Sequence, residues 1–169
     1  MFRVNDYVVY GLMGVYKITD IQKNGLASSD ESEGYYYVLR PVYKNNITIK
    51  LPVRKENTLL RPVITREDVL ALIASMPEKE IVSIESDRER NNMFKTAKTG
   101  NIEEQIKIVK SFYWKKKKKI AANKKLAKAD EDIMNVVEKQ LNEEFAIALN
   151  ITPDEVHPYI LEHISHNQE

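Results

Sequence analysis

Apolar and polar positions alternate with period two along the first third of the chain, then switch to a helical period near residue 64. Val4, Val8 and Tyr10 sit in a short β-rich run that Gly11-Leu-Met-Gly14 breaks. From Val15 to Ile21, apolar Val15, Tyr16 and Ile18 interleave with Lys17, Thr19 and Asp20, which predicts two antiparallel strands of a half-buried sheet. Asp6 suits a tight turn into the first strand, since its short side chain bonds nearby amides. The polar, glycine-bounded stretch Asn24–Gly34 reads as a mobile loop. Tyr35–Tyr43 reads as a third strand, with Pro41 implying an edge or a bulge near its end. Lys44-Asn45-Asn46 turns the chain into Ile47–Val53, where Ile47, Ile49 and Leu51 share a face and Thr48 and Lys50 point outward; Asn57–Val63 supplies a fifth strand. Five short strands in so few residues suit a small closed sheet, which avoids bare edges.

Beyond residue 64 the spacing is helical. Thr65-Arg-Glu-Asp68 offers a cap and first-turn acids, Val69, Leu72, Ile73 and Met76 repeat at helical intervals, and Pro77 ends the run. A second helix spans Ser86 to about Thr99 and stops at Gly100. Asn101-Ile-Glu-Glu104 starts a third, with Ile102, Ile106, Val109 and Tyr113 in one stripe, Phe112 flanking it, and Lys107, Lys110 and Trp114 set away from it. A further helix carries Leu126, Ile133, Val137, Leu141 and Phe145. Thr152-Pro-Asp-Glu155 caps the last helix, in which Pro158 predicts a kink or a restart. Helices with separate apolar stripes are marginal alone and must bundle. The fold expected is α+β: a five-stranded β-barrel over residues 1–64, then an all-α bundle over 65–169.

Charge sharpens the division. The net charge of +1 hides fourteen basic residues between 88 and 128 against three acids, then ten acids and one base from 130 onward. Five consecutive lysines, Lys115 to Lys119, beside further bases point to nucleic-acid or phosphate binding, the alternative being a solvated helix face. The chain has no cysteine, which excludes disulfides and thiolate zinc sites and suits a reducing cytoplasm. It shows no signal-peptide pattern and no apolar run of membrane-spanning length. No phosphate-binding glycine loop with its lysine occurs, and His157, His163 and His166 lack an acid placed to complete a metal site, so neither enzyme activity, metal nor cofactor is expected.

Four segments carry a resemblance. They are the N-terminal set Val4, Asp6, Val8, Val9, Tyr10 and Gly14; Ile47-Thr-Ile-Lys-Leu-Pro52 followed by Glu56-Asn57; Lys98-Thr-Gly-Asn101; and Ile108-Val-Lys-Ser-Phe-Tyr113. In order and spacing they resemble the CarD/CdnL family of bacterial transcription regulators, and the first also resembles the related module of transcription-repair coupling factors. The resemblance implies a Tudor-like or SH3-like barrel that grips the RNA polymerase β subunit, partly through strand pairing and a basic residue. The matching position is Lys50, with Lys23 and Arg40 as supports. It also implies a helical half that binds promoter DNA and wedges a tryptophan into the minor groove. Here the wedge position falls on Ser86; Arg88 is kept and Arg90 follows nearby. The sole tryptophan, Trp114, lies beside Lys115, Lys116, Lys117, Lys118 and Lys119, and reads either as a stacking residue among phosphate-binding lysines or as a bundle aromatic.

The sequence thus reads as a CarD-like, non-enzymatic, monomeric regulator of the bacterial nucleoid that alters open-complex stability. The alternative is a polyanion-binding accessory protein, RNA-binding for example, that uses the barrel and the lysine-rich helices.

Overall fold

The computed structural model describes residues 1–23, 34–44, 47–53 and 59–166, with side chains through residue 164. The chain divides into two compact units, Met1–Val63 and Ile64–Glu169. The expected loop at 24–33, the turn residues 45 and 46, the Glu56-Asn57 pair and the start of the fifth strand lie outside the described residues.

The first unit is one antiparallel sheet of β1 (Tyr7–Tyr10), β2 (Val15–Lys23), β3 (Tyr35–Pro41), β4 (Ile49–Pro52) and β5 (Leu60–Pro62). The order is β4-β3-β2-β1-β5. Gly14, at φ 120°, lets the chain reverse between β1 and β2 while its carbonyl accepts from the Tyr10 amide at 3.1 Å. Val8, Tyr16, Ile18, Tyr37, Leu39 and Leu60 form the core, with Ile49 and Leu51 packed on it. The strand count suggested closure, yet among the described residues nothing pairs β4 with β5, and the sheet is open. Both edge strands are short and end in proline, Pro52 and Pro62, which has no N–H to add to a closing ladder.

Two local expectations change. Ile47 precedes β4 and is exposed instead of sharing the face of Ile49 and Leu51. Pro41 merely ends β3, an interior strand; the irregularity is in β2 between Ile18 and Asp20, where the Thr19 hydroxyl donates to the Val38 carbonyl at 3.3 Å.

The second unit holds α1 (Arg66–Ser75), a 3₁₀ turn at Met76–Glu78, α2 (Asp87–Lys98), α3 (Ile102–Ala121), α4 (Lys128–Leu149) and α5 (Pro153–His166). Side chains set the helix starts. Thr65 accepts from the Asp68 amide and Asn101 from the Glu104 amide, satisfying donors that a first turn leaves unpaired. Gly100, at φ 79°, ends α2 where a side chain would be penalised. At the start of α5 the Thr152 amide and hydroxyl both donate to Glu155 and hold its carboxyl below the usual range. The α5 helix runs through Pro158 without restarting. The carbonyl that proline would leave unpaired belongs to Asp154, in the exposed first turn, so the loss falls where water can compensate.

α3 packs against both α2 and α4, and α4 also meets α1 and α5. Two neighbours demand more than one stripe. Gln105, Ile108 and Phe112 are fully buried, while Val109 is half-buried and Tyr113 exposed. Leu126 is buried ahead of α4, and Met134, Val137, Leu141 and Phe145 carry that helix's apolar side.

Candidate polymerase and nucleic-acid interfaces

In the first unit, directly paired residues share a face of the sheet. Tyr37 and Leu39 of β3 lie in the core, so Val38 and Arg40 take the other face, together with Lys50, which pairs with Val38, and Lys17, which pairs with Arg40. Lys50 and Arg40 are both exposed. Lys23 pairs with Tyr35 and therefore belongs to the opposite face, its ammonium 5.7 Å from that ring. The structure thus brings together Lys50 and Arg40, adds Lys17, which sequence reasoning missed, and separates Lys23. Only the cross-strand register shows this. Among the described residues β4 is also an edge, so Lys50 projects from a strand with one unpartnered side in the sheet.

In the second unit, Ser86 has a structural task. Its hydroxyl accepts from the Glu89 amide at 3.2 Å, while the Glu89 carboxylate accepts from the amides of Ser86 at 3.3 Å and Glu85 at 2.7 Å. This capping box starts α2 at the position where the resemblance places the family's wedge and this chain has a serine. Arg88, two residues further on, is exposed.

Arg90 and Lys115 do not stand free. Both turn inward to Asp130, whose residue is 1% exposed. Lys115 Nζ lies 2.6 Å from Oδ2 and Arg90 Nη1 lies 3.5 Å from Oδ1, and Arg90 also pairs with Asp87 at 3.0 Å. The cluster fastens α2, α3 and α4 together. In the sequence Asp130 looks like an ordinary first-turn acid, and nothing in its spacing signals burial.

Two more lysines are structural. Lys110 Nζ donates to the carbonyls of Met76 and Pro77, each at 2.9 Å, and of Lys79 at 2.7 Å, using all three ammonium protons to hold the 3₁₀ turn. Lys107 pairs with Glu80 at 3.1 Å. Of the five consecutive lysines, those left toward solvent are the half-buried Lys116 and Lys119 and the exposed Lys117 and Lys118.

Trp114 is 41% exposed, so it is not a core aromatic of the bundle. The Lys118 ammonium sits 3.6 Å from its ring centre, a cation–π contact.

Tyr113 stacks on His157 and donates to Glu138 Oε1 at 2.7 Å. Burial first, then that bond and the adjacent negative charge, push its phenol up to about 12. His163 stacks on Tyr159 and its Nδ1 contacts the Tyr159 carbonyl at 2.9 Å. The His166 side chain lies outside the described residues. Among the described residues no group of histidines and acids is placed to hold a metal ion, and no helix is long and apolar enough to cross a membrane.

Residues 2–64 fit the family model of the CarD-like/TRCF RID domain, and residues 65–169 lie outside that match. No curated protein matches the chain. The matched span is the open sheet whose outer face presents Arg40 and Lys50. Over residues 2–64 the first unit thus matches a CarD-like RNA polymerase-interacting domain.

Proposed function

We propose that this protein is a CarD-like, non-enzymatic transcription regulator that holds the RNA polymerase β subunit through its first unit and promoter DNA through its second. The observation that carries the reading is an RNA polymerase-interacting domain with an edge strand, β4, that among the described residues is unpaired on one side and bears an exposed Lys50. A polymerase strand can add to such an edge through backbone groups, while Lys50, Arg40 and Lys17 supply charge beside it. In the second unit Lys116 to Lys119 and Arg88 face phosphates. Interactions made only with melted promoter shift the balance between closed and open complexes, with each kcal/mol or so changing the ratio about five-fold. The protein acts as a monomer in the bacterial cytoplasm, at the nucleoid.

Full-length protein tests both halves. Lys50→Glu with Arg40→Glu lowers capture of polymerase β and leaves binding to free DNA intact. Replacing Lys116 to Lys119 with glutamine flattens the salt dependence of DNA binding, by about 0.9 in the logarithmic slope for each phosphate that is no longer neutralised. Full capture by the first variant refutes the polymerase contact, and an unchanged slope refutes the phosphate role.

One observation favours RNA binding as a second reading. Tyr7 is 39% exposed on the sheet, with the Lys17 ammonium 5.7 Å from its ring. That reading requires the sheet variant to lose RNA and keep polymerase.

A further inference from the structure

A cleft of about 390 Å³ opens beside Trp114, walled by Lys115, Lys118, Lys119 and Lys124 and floored by residues 82–85. The floor is anchored. Val82 donates its amide to Ser111 Oγ at 2.9 Å, and that hydroxyl donates to the Lys107 carbonyl at 2.7 Å. Beyond α3 the chain doubles back through Asn123, at φ 56°, and the Lys124 amide bonds the Lys119 carbonyl at 2.8 Å. This turn brings Lys124 to the same cleft as Lys119.

The charge in the cleft is not spent. Lys115 is neutralised by Asp130, but among the described residues no acid pairs with Lys118, Lys119 or Lys124. The one acid in the lining, Glu85, accepts from the Ser83 hydroxyl at 3.0 Å. The C-terminal end of α3 carries partial negative charge, which Lys118 and Lys119 in its last turn offset. What remains is a half-exposed indole under the Lys118 ammonium, in a cleft also lined by Lys119 and Lys124, three lysines that no carboxylate holds among the described residues.

We infer that this cleft takes one unpaired nucleotide, its base against the Trp114 ring and its phosphate on Lys118, Lys119 and Lys124. A planar aromatic beside long lysine side chains is the arrangement that holds single strands, because every base has a face to stack and every link carries a phosphate. The volume falls in the range of small-ligand sites. A base inside a duplex shows only its edges in the grooves, so an indole in a concave wall reaches its face only when the base is splayed out. Lys118 now covers the ring; a phosphate draws that ammonium aside and frees the face, so the two contacts form together. The inference rests on the reading that the second unit binds DNA, and narrows it to the unpaired strand.

Trp114 is the only tryptophan, so its fluorescence reports on this cleft alone. Full-length protein is titrated with an oligothymidylate of about eight nucleotides, with free thymidine triphosphate, and with a duplex. The expected result is quenching by the oligothymidylate well below the concentration at which duplex acts. Trp114→Leu, read by anisotropy of labelled oligothymidylate, weakens binding on the order of tenfold, and Lys119→Gln with Lys124→Gln weakens it while lowering the salt slope. Equal or tighter quenching by the triphosphate overturns the strand reading and assigns the same cleft to a free nucleotide. If Trp114→Leu loses helical circular dichroism, the double lysine variant decides. Equal affinity for single strand and duplex, unaffected by either variant, overturns the cleft but leaves DNA binding standing. No binding to any DNA overturns both.

Discussion

Asp130 is the residue whose removal tests the architecture of the helical unit most directly. Its side chain is 2% exposed, while those of Lys115 and Arg90 are 24% and 18% exposed. At an effective dielectric near 20, Coulomb attraction is about 6 kcal/mol for the Lys115 pair and about 5 kcal/mol for Arg90. Desolvating the carboxylate takes back several kcal/mol of this. The two cations also reach water once released, so they are not stranded as a wholly buried charge would be. The net cost of Asp130→Asn is therefore about 1–3 kcal/mol. The partners differ in kind, because Asp130 Oδ1 has no hydrogen bond, so the Arg90 contact is an ion pair alone, whereas Lys115 makes a short hydrogen bond at 2.6 Å. Urea denaturation followed by Trp114 fluorescence, in double-mutant cycles with Lys115→Met and Arg90→Met, gives the coupling energies. The Lys115 coupling should be about 1–2 kcal/mol and exceed that of Arg90. A Lys115 coupling near zero, or one smaller than that of Arg90, refutes the reasoning. Lys115→Gln should also leave DNA affinity per folded molecule unchanged, since that ammonium already serves Asp130.

Ser86→Trp sets two effects against each other. Losing the capping box costs about 1 kcal/mol, a loss Ser86→Ala shares in thermal melts. Only the tryptophan variant should lengthen open-complex lifetime; equal lifetimes for the two dismiss a wedge at this site. For Tyr113, folding raises the phenol's pKa, so its contribution to stability is complete below the unfolded value near 10 and disappears as pH climbs toward 12. Glu138→Gln should move the Tyr113 titration downward in the ultraviolet difference spectrum against Tyr113→Phe, and no movement would show that burial alone sets it.

Much of the chain is local enough to be legible. Thr65 and Asn101 cap helices where their spacing says they should, and at the start of α5 the Glu155 carboxylate accepts from the Thr152 amide, because such bonds need only the helix's own first turn. Val15, Tyr16 and Ile18 are buried, and β1 pairs with β2 across the short Gly11–Gly14 turn. Charge segregation likewise marks the lysine-rich helix from composition alone. What tertiary structure decided is which charges are free. Lys115 and Lys116 are adjacent and chemically identical, yet one is held by a buried carboxylate fifteen positions away. Lys110, which the helical period places on a polar face, holds three carbonyls of another element. Lys23 and Lys50 both read as candidate polymerase contacts, and cross-strand register alone puts them on opposite faces. Periodicity assigns a side chain to a face of its own element. Its partner there belongs to a distant part of the chain, and only packing brings the two within reach.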